Sequence, residues 1–319
     1  MTQQWIRNAS IVIAGSNGQG LEVGDLRCVF RVEHATTETP KNMALRVFNV
    51  SESTIQAAKA AAKEEGLVSL SVGYGYPNVA PPPRLGLLFK GNIKQVRSGR
   101  ASATDTYLDV FAASADNAYN YGVIRKTLAA GYTQEDVANE VQRVFQEFGV
   151  TQGYRSTFKQ QQAPRGKVMW GMARDYARDM AYTNAMSWNM GDGELQFVGD
   201  AEVIPGEAIV LNALTGLIGM PEQTQDGITF RALLNPRIRS NAMIRIDNKS
   251  VQQAAIPLSY TGSATIFPNI STDGNYKVVF ADYVGDTHGN DWYCQGVCLA
   301  LDNTAPPSAA VVNAVEFQP

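Results

Sequence analysis

Three groups of residues have types and spacings that could perform chemistry, and the first is a glycine group near the N-terminus. In the segment IVIAGSNGQG at 11–20, a short apolar run is followed by three glycines. The same pattern occurs in strand–loop–helix motifs that bind phosphate at the N-terminus of the helix. The residues that follow, LRCVFRVEH at 26–34, alternate apolar and polar side chains. A period near two predicts a strand and not a helix. We therefore interpret the glycines as a turn between two strands.

The second group contains the side chains suited to nucleophilic or metal chemistry. Cys294 and Cys298 share one face if they lie in a strand, and we favour small buried thiols over a redox or metal pair. Three cysteines do not make a disulfide framework. Two histidines, His34 and His288, are too few for a multi-histidine metal site. The sequence also has no G-x-S-x-G or H-E-x-x-H motif.

The third group contains carboxylates close together in the chain. GDGE at 191–194 and VGDTHGND at 284–291 are rich in turn-forming residues, so we interpret both as hairpin turns. Carboxylates that cleave a glycoside can lie far apart in a sequence, which leaves that chemistry open. We expect no catalytic residue, no metal and no cofactor, and hence no enzyme.

Length, composition and net charge limit the classes of protein to which the chain can belong. The chain has 319 residues, 45% of them hydrophobic and 18% charged, with a formal net charge of −3. This length allows two or three domains, and the charge gives no global field that attracts nucleic acid or an anionic membrane. No apolar run approaches a membrane span, and no secretory signal is visible. We therefore expect the protein to be made and folded in the cytoplasm.

The pattern of elements divides the chain into four parts. Residues 1–120 are predicted to be mostly strand, with one alanine-rich helix over 51–66 that Gly66 ends. Residues 121–200 form a small α+β module, in which Thr133 begins a capped helix, a second helix covers 166–183 and a hairpin covers 186–199. Residues 201–301 return to strands, and 302–319 form an extended arm. The predicted strands are 10–14, 26–34, 44–50, 67–74, 85–97, 104–112, 208–214, 228–234, 242–248, 276–284 and 291–300.

A spacing recurs in the two strand-rich parts. In each, a strand is followed by glycine, five residues, Asp-x-Tyr and another strand. Chance can match three residues, but the favoured interpretation is one β-fold that occurs twice. The matched residues are Gly99, Asp105 and Tyr107 in the first part and Gly285, Asp291 and Tyr293 in the second.

Basic residues cluster along two predicted hairpins that have few aromatic side chains between them. Single-stranded nucleic acid is bound on aromatic platforms. Charged edge strands that prevent stray pairing, or salt-bridged subunit contacts, explain the clusters better. The residues are Arg84, Lys90, Lys94, Arg97 and Arg100 in the first cluster and Arg231, Arg237, Arg239 and Arg245 in the second.

One long segment carries a family resemblance. LTGLIGMPEQTQDGITFRALLNPRIRSNAMIRID at 214–247 resembles the baseplate hub proteins of tailed bacteriophages, which are similar to tail-tube subunits. The resemblance extends to FKGNIKQVRSG with TDTYLDVFAAS, and to YKVVFADYVGDTHGNDWY. It touches all three folded parts and about two thirds of the chain.

The resemblance implies an α+β, mainly β, structural protein of the virion tail tip, assembled in the host cytoplasm. It implies two tube-like antiparallel β-barrels, each with a flanking helix, separated by the α+β module. Three chains would then form a pseudo-sixfold ring that joins a sixfold tail tube to a threefold central spike. The implied partners are two further copies of the chain, the spike, the tube or its initiator, other baseplate proteins, and DNA only as cargo passing through.

The same resemblance directs attention to residues that could form the ring. We expect apolar contacts from a corner and anchoring charges from the loop that follows; packing within one subunit is the alternative. A receptor-binding tail module and a cell-wall hydrolase are the alternative functions. The interface candidates are Leu217, Ile218, Met220, Pro221, Arg237 and Arg239.

Overall fold

A computed structural model describes residues 6–15, 20–23, 26–75, 84–224, 226–253, 270–271 and 273–301. In this part of the chain, the elements are mostly antiparallel strands. The strands are β1 (Arg7–Ala14), β2 (Gly20–Glu22), β3 (Cys28–Ala35), β4 (Asn42–Phe48), β5 (Leu67–Tyr74), β6 (Arg84–Arg100), β7 (Thr106–Ala113), β8 (Val123–Leu128), β9 (Thr151–Arg155), β10 (Lys167–Met172), β11 (Met186–Gly191), β12 (Glu194–Gly199), β13 (Ile209–Leu211), β14 (Glu222–Thr224), β15 (Gly227–Leu233), β16 (Met243–Ile246), β17 (Gln252–Gln253), β18 (Asn275–Asp286) and β19 (Trp292–Ala300). The helices are α1 (Glu52–Lys63), α2 (Asp116–Tyr121), α3 (Gln134–Gln146) and α4 (Ala173–Asn184), with a 3₁₀ turn at Asn248–Ser250.

Two four-stranded units have the same strand order. In the first, β3 pairs with β4, β4 with β7, and β7 with β6. In the second, β14 pairs with β15, β15 with β19, and β19 with β18. Each unit therefore consists of two hairpins whose second strands lie side by side. We refer to them as the first unit and the second unit.

The last hairpin of each unit begins with a long strand that is paired on both edges. The first half of β6 pairs with β5 on one edge, and the second half pairs with β7 on the other edge. The start of β18 pairs with β16. The later part of β18, from Phe280 to Asp286, pairs with β3.

This β3–β18 pairing joins the two units into one open sheet. The buried faces of both units belong to a single hydrophobic cluster, which includes Leu45, Val110, Phe230 and Tyr283. The mainly β fold with an α+β insert is thus confirmed. The described strands do not close into two separate barrels, because β18 continues the first unit's sheet.

The inserted residues have a hydrophobic cluster of their own, built from α2, α3, α4 and the strands between them. Thr133 caps α3, and its capping box with Asp136 is formed as predicted. The predicted hairpin over 186–199 is present as β11 and β12. Asp192 and Gly193 both have positive φ at its turn, which is the geometry of a tight two-residue hairpin.

The helix predicted over 166–183 is only partly correct. Residues 167–172 form β10, which pairs with β8, and α4 begins at Ala173. Val168 and Trp170 are exposed while Met169 is buried. In the sequence, this period-two alternation is obscured because the neighbouring methionines and alanines have a spacing that also fits a helix.

Two smaller expectations need correction, and a third is not tested. The left-handed residue after α1 is Glu65 and not Gly66. No α-helix flanks the second unit within the described residues, where the corresponding stretch contains only the 3₁₀ turn. The arm at 302–319 lies outside the described residues. Among those described, no helix combines the length and apolar character needed to cross a membrane.

Candidate assembly surfaces

The residues singled out for chemistry are held in structural roles. β1 turns back into the short strand β2, which was not predicted, and β3 pairs with β4 and β18, so the hairpin predicted between 10–14 and 26–34 is wrong in its second strand. The described residues that follow the glycines are strands and not a helix that could bind phosphate at its N-terminus; Gly18 lies outside the described residues. Burial raises the pKa of the Cys28 thiol to about 11 and that of Cys294 to about 12. The described residues contain no cluster of histidine, cysteine and carboxylate side chains that could hold a metal.

His34 is buried on β3, where Ser240 Oγ lies 2.9 Å from its Nδ1. Burial is the main cause that holds its pKa well below the ordinary value, and the charges of Lys41 and Arg239 act in the same direction. His34 is therefore neutral at physiological pH and packs in the interior. His288 lies in the turn between β18 and β19, as expected for a hairpin tip.

Charge pairs follow the outward face of the joined sheet. Arg46 on β4 donates to both oxygens of Asp109 on β7, at 2.7 and 2.9 Å. Across the joint between the units, Arg31 donates to both oxygens of Asp282, at 3.1 Å each. Arg27 reaches Asp286 at 2.7 Å. This face thus carries alternating charges that neutralise one another.

The repeated hairpin residues occupy similar places in the two units. Tyr107 on β7 lies under the guanidinium of Arg46 from the neighbouring strand, with 4.4 Å between the arginine carbon and the ring centre. Tyr293 on β19 lies under Arg231 at 3.6 Å. Each arginine comes from the strand next to the hairpin, so the two contacts correspond.

The glycines and aspartates of the repeat correspond less closely. Gly99 lies opposite Tyr107, whereas Gly285 lies opposite Trp292. The cause is one additional residue in the second turn. The backbone carbonyl of Asp105 accepts from the residue four positions before it, and that of Asp291 accepts from the residue five positions before it.

The predicted apolar corner lies along one end of the sheet. Residues 216–218 bond to β15 just beyond β14, through Ile218 N to Arg231 O at 2.7 Å. Ile218 and Met220 are 40% and 52% exposed. Leu217 packs partly against the core, and Pro221 is buried. Of the four apolar candidates, Ile218 and Met220 are therefore accessible to a partner. The exposed Leu214 in the same loop was not predicted, although the loop's apolar composition could have indicated it.

Both arginine candidates are exposed, and one of them is also bonded within the chain. Arg239 donates to the carbonyl of Leu87 on β6 at 3.2 Å. Arg237 is exposed, with Glu207 4.0 Å away. Both line a cleft of about 370 Å³ that also contains His34 and faces the β11–β12 turn. We therefore assign both arginines to this cleft, and their role in a contact between subunits stays a prediction.

A buried ion pair, which sequence reasoning missed, connects the inserted module to the sheet. Lys41 Nζ lies 2.9 Å from Asp192 Oδ2 and 3.0 Å from Oδ1, and it also donates to the Leu88 carbonyl. The Lys90 backbone N–H donates to the same carboxylate at 3.2 Å. The Lys41 side chain is 1% exposed. Asp192 therefore both forms the hairpin turn and attaches the module.

The solved structures that resemble this chain include tail proteins. The 43 kDa tail protein of prophage MuSo2 from Shewanella oneidensis matches over 92% of this chain and 97% of its own, with a TM-score of 0.57 and 8% identity. A tail protein from Neisseria meningitidis matches over 92% and 96%, with a TM-score of 0.57 and 6% identity. A chain of the Francisella PdpA–VgrG complex matches over 95% of this chain and 59% of its own, with a TM-score of 0.52 and 8% identity.

This chain has the fold of phage tail proteins. The amino-acid sequence itself matches no protein-family model and no curated protein. The resemblance seen in the 214–247 segment is therefore confirmed at the level of the tail-protein fold.

Proposed function

We propose that the protein is a non-catalytic hub of a phage tail baseplate, in which three copies form a pseudo-sixfold ring. The observation that carries the proposal is that the two units share one strand order and are joined edge to edge by β3 and β18. A chain with two equivalent units gives six units from three copies. Such a ring presents sixfold contacts on one side and threefold contacts on the other.

In this proposal, the first tube-like domain comprises 1–120, the second 201–301, and the inserted module 121–200. The eight strands of the two units curve around the ring, and three copies contribute 24 strands to one inner wall. The neighbours are the tail tube or its initiator, the central spike and other baseplate proteins. The ring would lie at the tail tip of the virion.

The charge pairs on the outward face support a wall that DNA passes without binding. Tight binding of DNA depends on unpaired cations that replace its counterions. Two arginines of this face, Arg31 and Arg46, are instead bonded to the carboxylates of Asp282 and Asp109. A lining with neutralised charge would let DNA slide as cargo.

Quantitative mass spectrometry of purified tail particles tests the proposal. We expect three copies of this chain per particle, against multiples of six for the tube subunit. Antibody labelling should mark one end of the tail. Six copies per particle, or label along the whole tail, would contradict it. Binding of the isolated chain to host cells would favour the receptor-binding alternative, and peptidoglycan clearing in zymography would favour the hydrolase.

A further inference from the structure

The joint between the two units within one chain has a defined polar contact. The β3–β18 pairing brings the exposed guanidinium of Arg31 onto the buried carboxylate of Asp282, through two bonds of 3.1 Å. Arginine comes from the first unit, and aspartate comes from the second. A ring of such chains needs a second kind of joint, from one chain to the next. This step depends on the ring proposed above.

The strand orders determine which edges would meet there. Because β6 corresponds to β18 and β3 corresponds to β14, a second joint of the same kind brings β6 of one copy beside β14 of the next. Residues 94–100 of β6 pair only with β7 among the described strands. No described strand pairs with their opposite edge. Exposed Lys94, Arg97 and Arg100 follow it.

The other end of the sheet carries the complementary edge. Among the described residues, β14 is covered on its outer side by β17, in a parallel pairing of two residues. Ile218, Met220 and Glu222 lie along this edge at alternate positions, and all three are exposed. In the ring, the edge of β6 from the neighbouring copy would take the place of β17 on β14.

The stacked tyrosines allow positions on the two long strands to be matched. Tyr107 lies opposite Gly99, and Tyr293 lies opposite Val284. Two residues before these partners stand Arg97 on β6 and Asp282 on β18. Arg97 therefore occupies in the first unit the position that Asp282 occupies in the second.

The strands at the other end of each unit are matched through the stacking arginines. Two residues before Arg46 is Ala44, which lies opposite Arg31 on β3. Two residues before Arg231 is Thr229, which lies opposite Glu222 on β14. Glu222 thus occupies the position of Arg31.

We infer that Arg97 of one copy pairs with Glu222 of the next copy, as the counterpart of the internal pair with its charges exchanged. The internal joint places arginine on the β3-type strand and a carboxylate on the β18-type strand. The joint between copies would place the carboxylate on β14 and the arginine on β6. Neither side chain forms an ion pair within the described part of the chain. Opposite charges at diagonal positions across an edge lie within reach of long side chains, and they suppress wrong pairings.

Charge exchange tests this contact. R97E and E222R should each raise the concentration at which half of the chain is assembled by about tenfold, which corresponds to about 1.4 kcal/mol. The double variant R97E/E222R should restore assembly to near the wild-type concentration. R165E, at an exposed position in the inserted module, is the matched control and should leave assembly unchanged. Thermal unfolding of each variant checks that the chain still folds.

Cysteine cross-linking gives a second, independent measurement. In the internal joint, Asp282 lies opposite Glu33; the matching pair between copies is Arg97 and Thr224. R97C/T224C should form covalent dimers and trimers under mild oxidation, whereas each single variant should not. The native cysteines are all buried, so background cross-linking will be low.

The outcomes separate this inference from the function on which it depends. Trimers that respond neither to charge exchange nor to cross-linking would overturn the Arg97–Glu222 contact and leave the hub intact. A chain that stays monomeric at all concentrations, with and without the spike, would overturn the hub proposal itself. Rescue by the double variant together with the cross-linked ladder would establish the contact.

Discussion

Removing the charge of Asp192 should weaken the attachment of the inserted module to the sheet. The substitution Asp192→Asn keeps the shape of the side chain, and asparagine tolerates the left-handed backbone found here, where φ is 56°. What it removes is the counter-ion of Lys41, whose side chain is 1% exposed. Breaking one partner of a buried ion pair costs about 3–5 kcal/mol. We therefore expect Tm to fall by about 4–7 °C.

The double variant K41M/D192N separates this effect from general disturbance. It removes both charges and leaves no uncompensated ion, so it should be more stable than D192N alone. Thermal unfolding followed by circular dichroism measures all three proteins. A D192N protein within about 1 kcal/mol of wild type, or a double variant less stable than D192N, would refute the reasoning.

The same variant has a predicted pH dependence. Burial lowers the pKa of Lys41 in the folded chain, and Asp192 opposes that shift. Without Asp192, the folded state binds fewer protons than the unfolded state, where the lysine pKa is about 10.4. Stability then rises with pH in this range. The deficit of D192N should therefore narrow between pH 7 and pH 10, and a constant deficit would contradict the assignment.

Four further outcomes follow from burial and packing. W170A should change the free energy of unfolding by less than about 1 kcal/mol, because Trp170 is 71% exposed. I124A, on the buried face of the same two-stranded sheet, should lower the free energy of unfolding in urea by about 2–5 kcal/mol. G285A should cost about 1–3 kcal/mol by the same assay, since a Cβ there would lie 2.2 Å from the Phe30 ring. Burial lowers the pKa of Lys277 to about 8, so wild type should gain stability relative to K277M as pH rises from 8 to 10; parallel urea midpoints would contradict this. The three cysteines should resist a thiol reagent in the native protein and react fully after unfolding, because all are buried.

Local patterns were sufficient to predict many of the individual elements, although β2, β8, β9, β10, β14, β17 and α2 were not predicted. The period-two alternation over 26–34 identified β3, and the Thr133 capping box identified the start of α3. β10 was missed because Met169, Met172 and Met180 also fit one side of a helix. The backbone pairing with β8 that decides the matter is supplied by a strand about 40 residues away.

Contacts between distant residues were beyond a single sequence. Lys41 and Asp192 are 151 positions apart, and nothing near either residue identifies the other. The β3–β18 joint likewise connects the two ends of the chain. Of the predicted interface, Ile218 and Met220 are exposed, while Pro221 is buried because the same segment is bonded to β15 and β17.

The two-unit chain accounts for function through one property, which is that three copies can close a ring. Light scattering of the full chain over a range of concentrations, alone and with the spike, measures this most directly. We expect an assembled species whose mass is three times the 34.6 kDa mass of the chain. Any assembled species with a different number of copies, or a monomer under every condition, would contradict it.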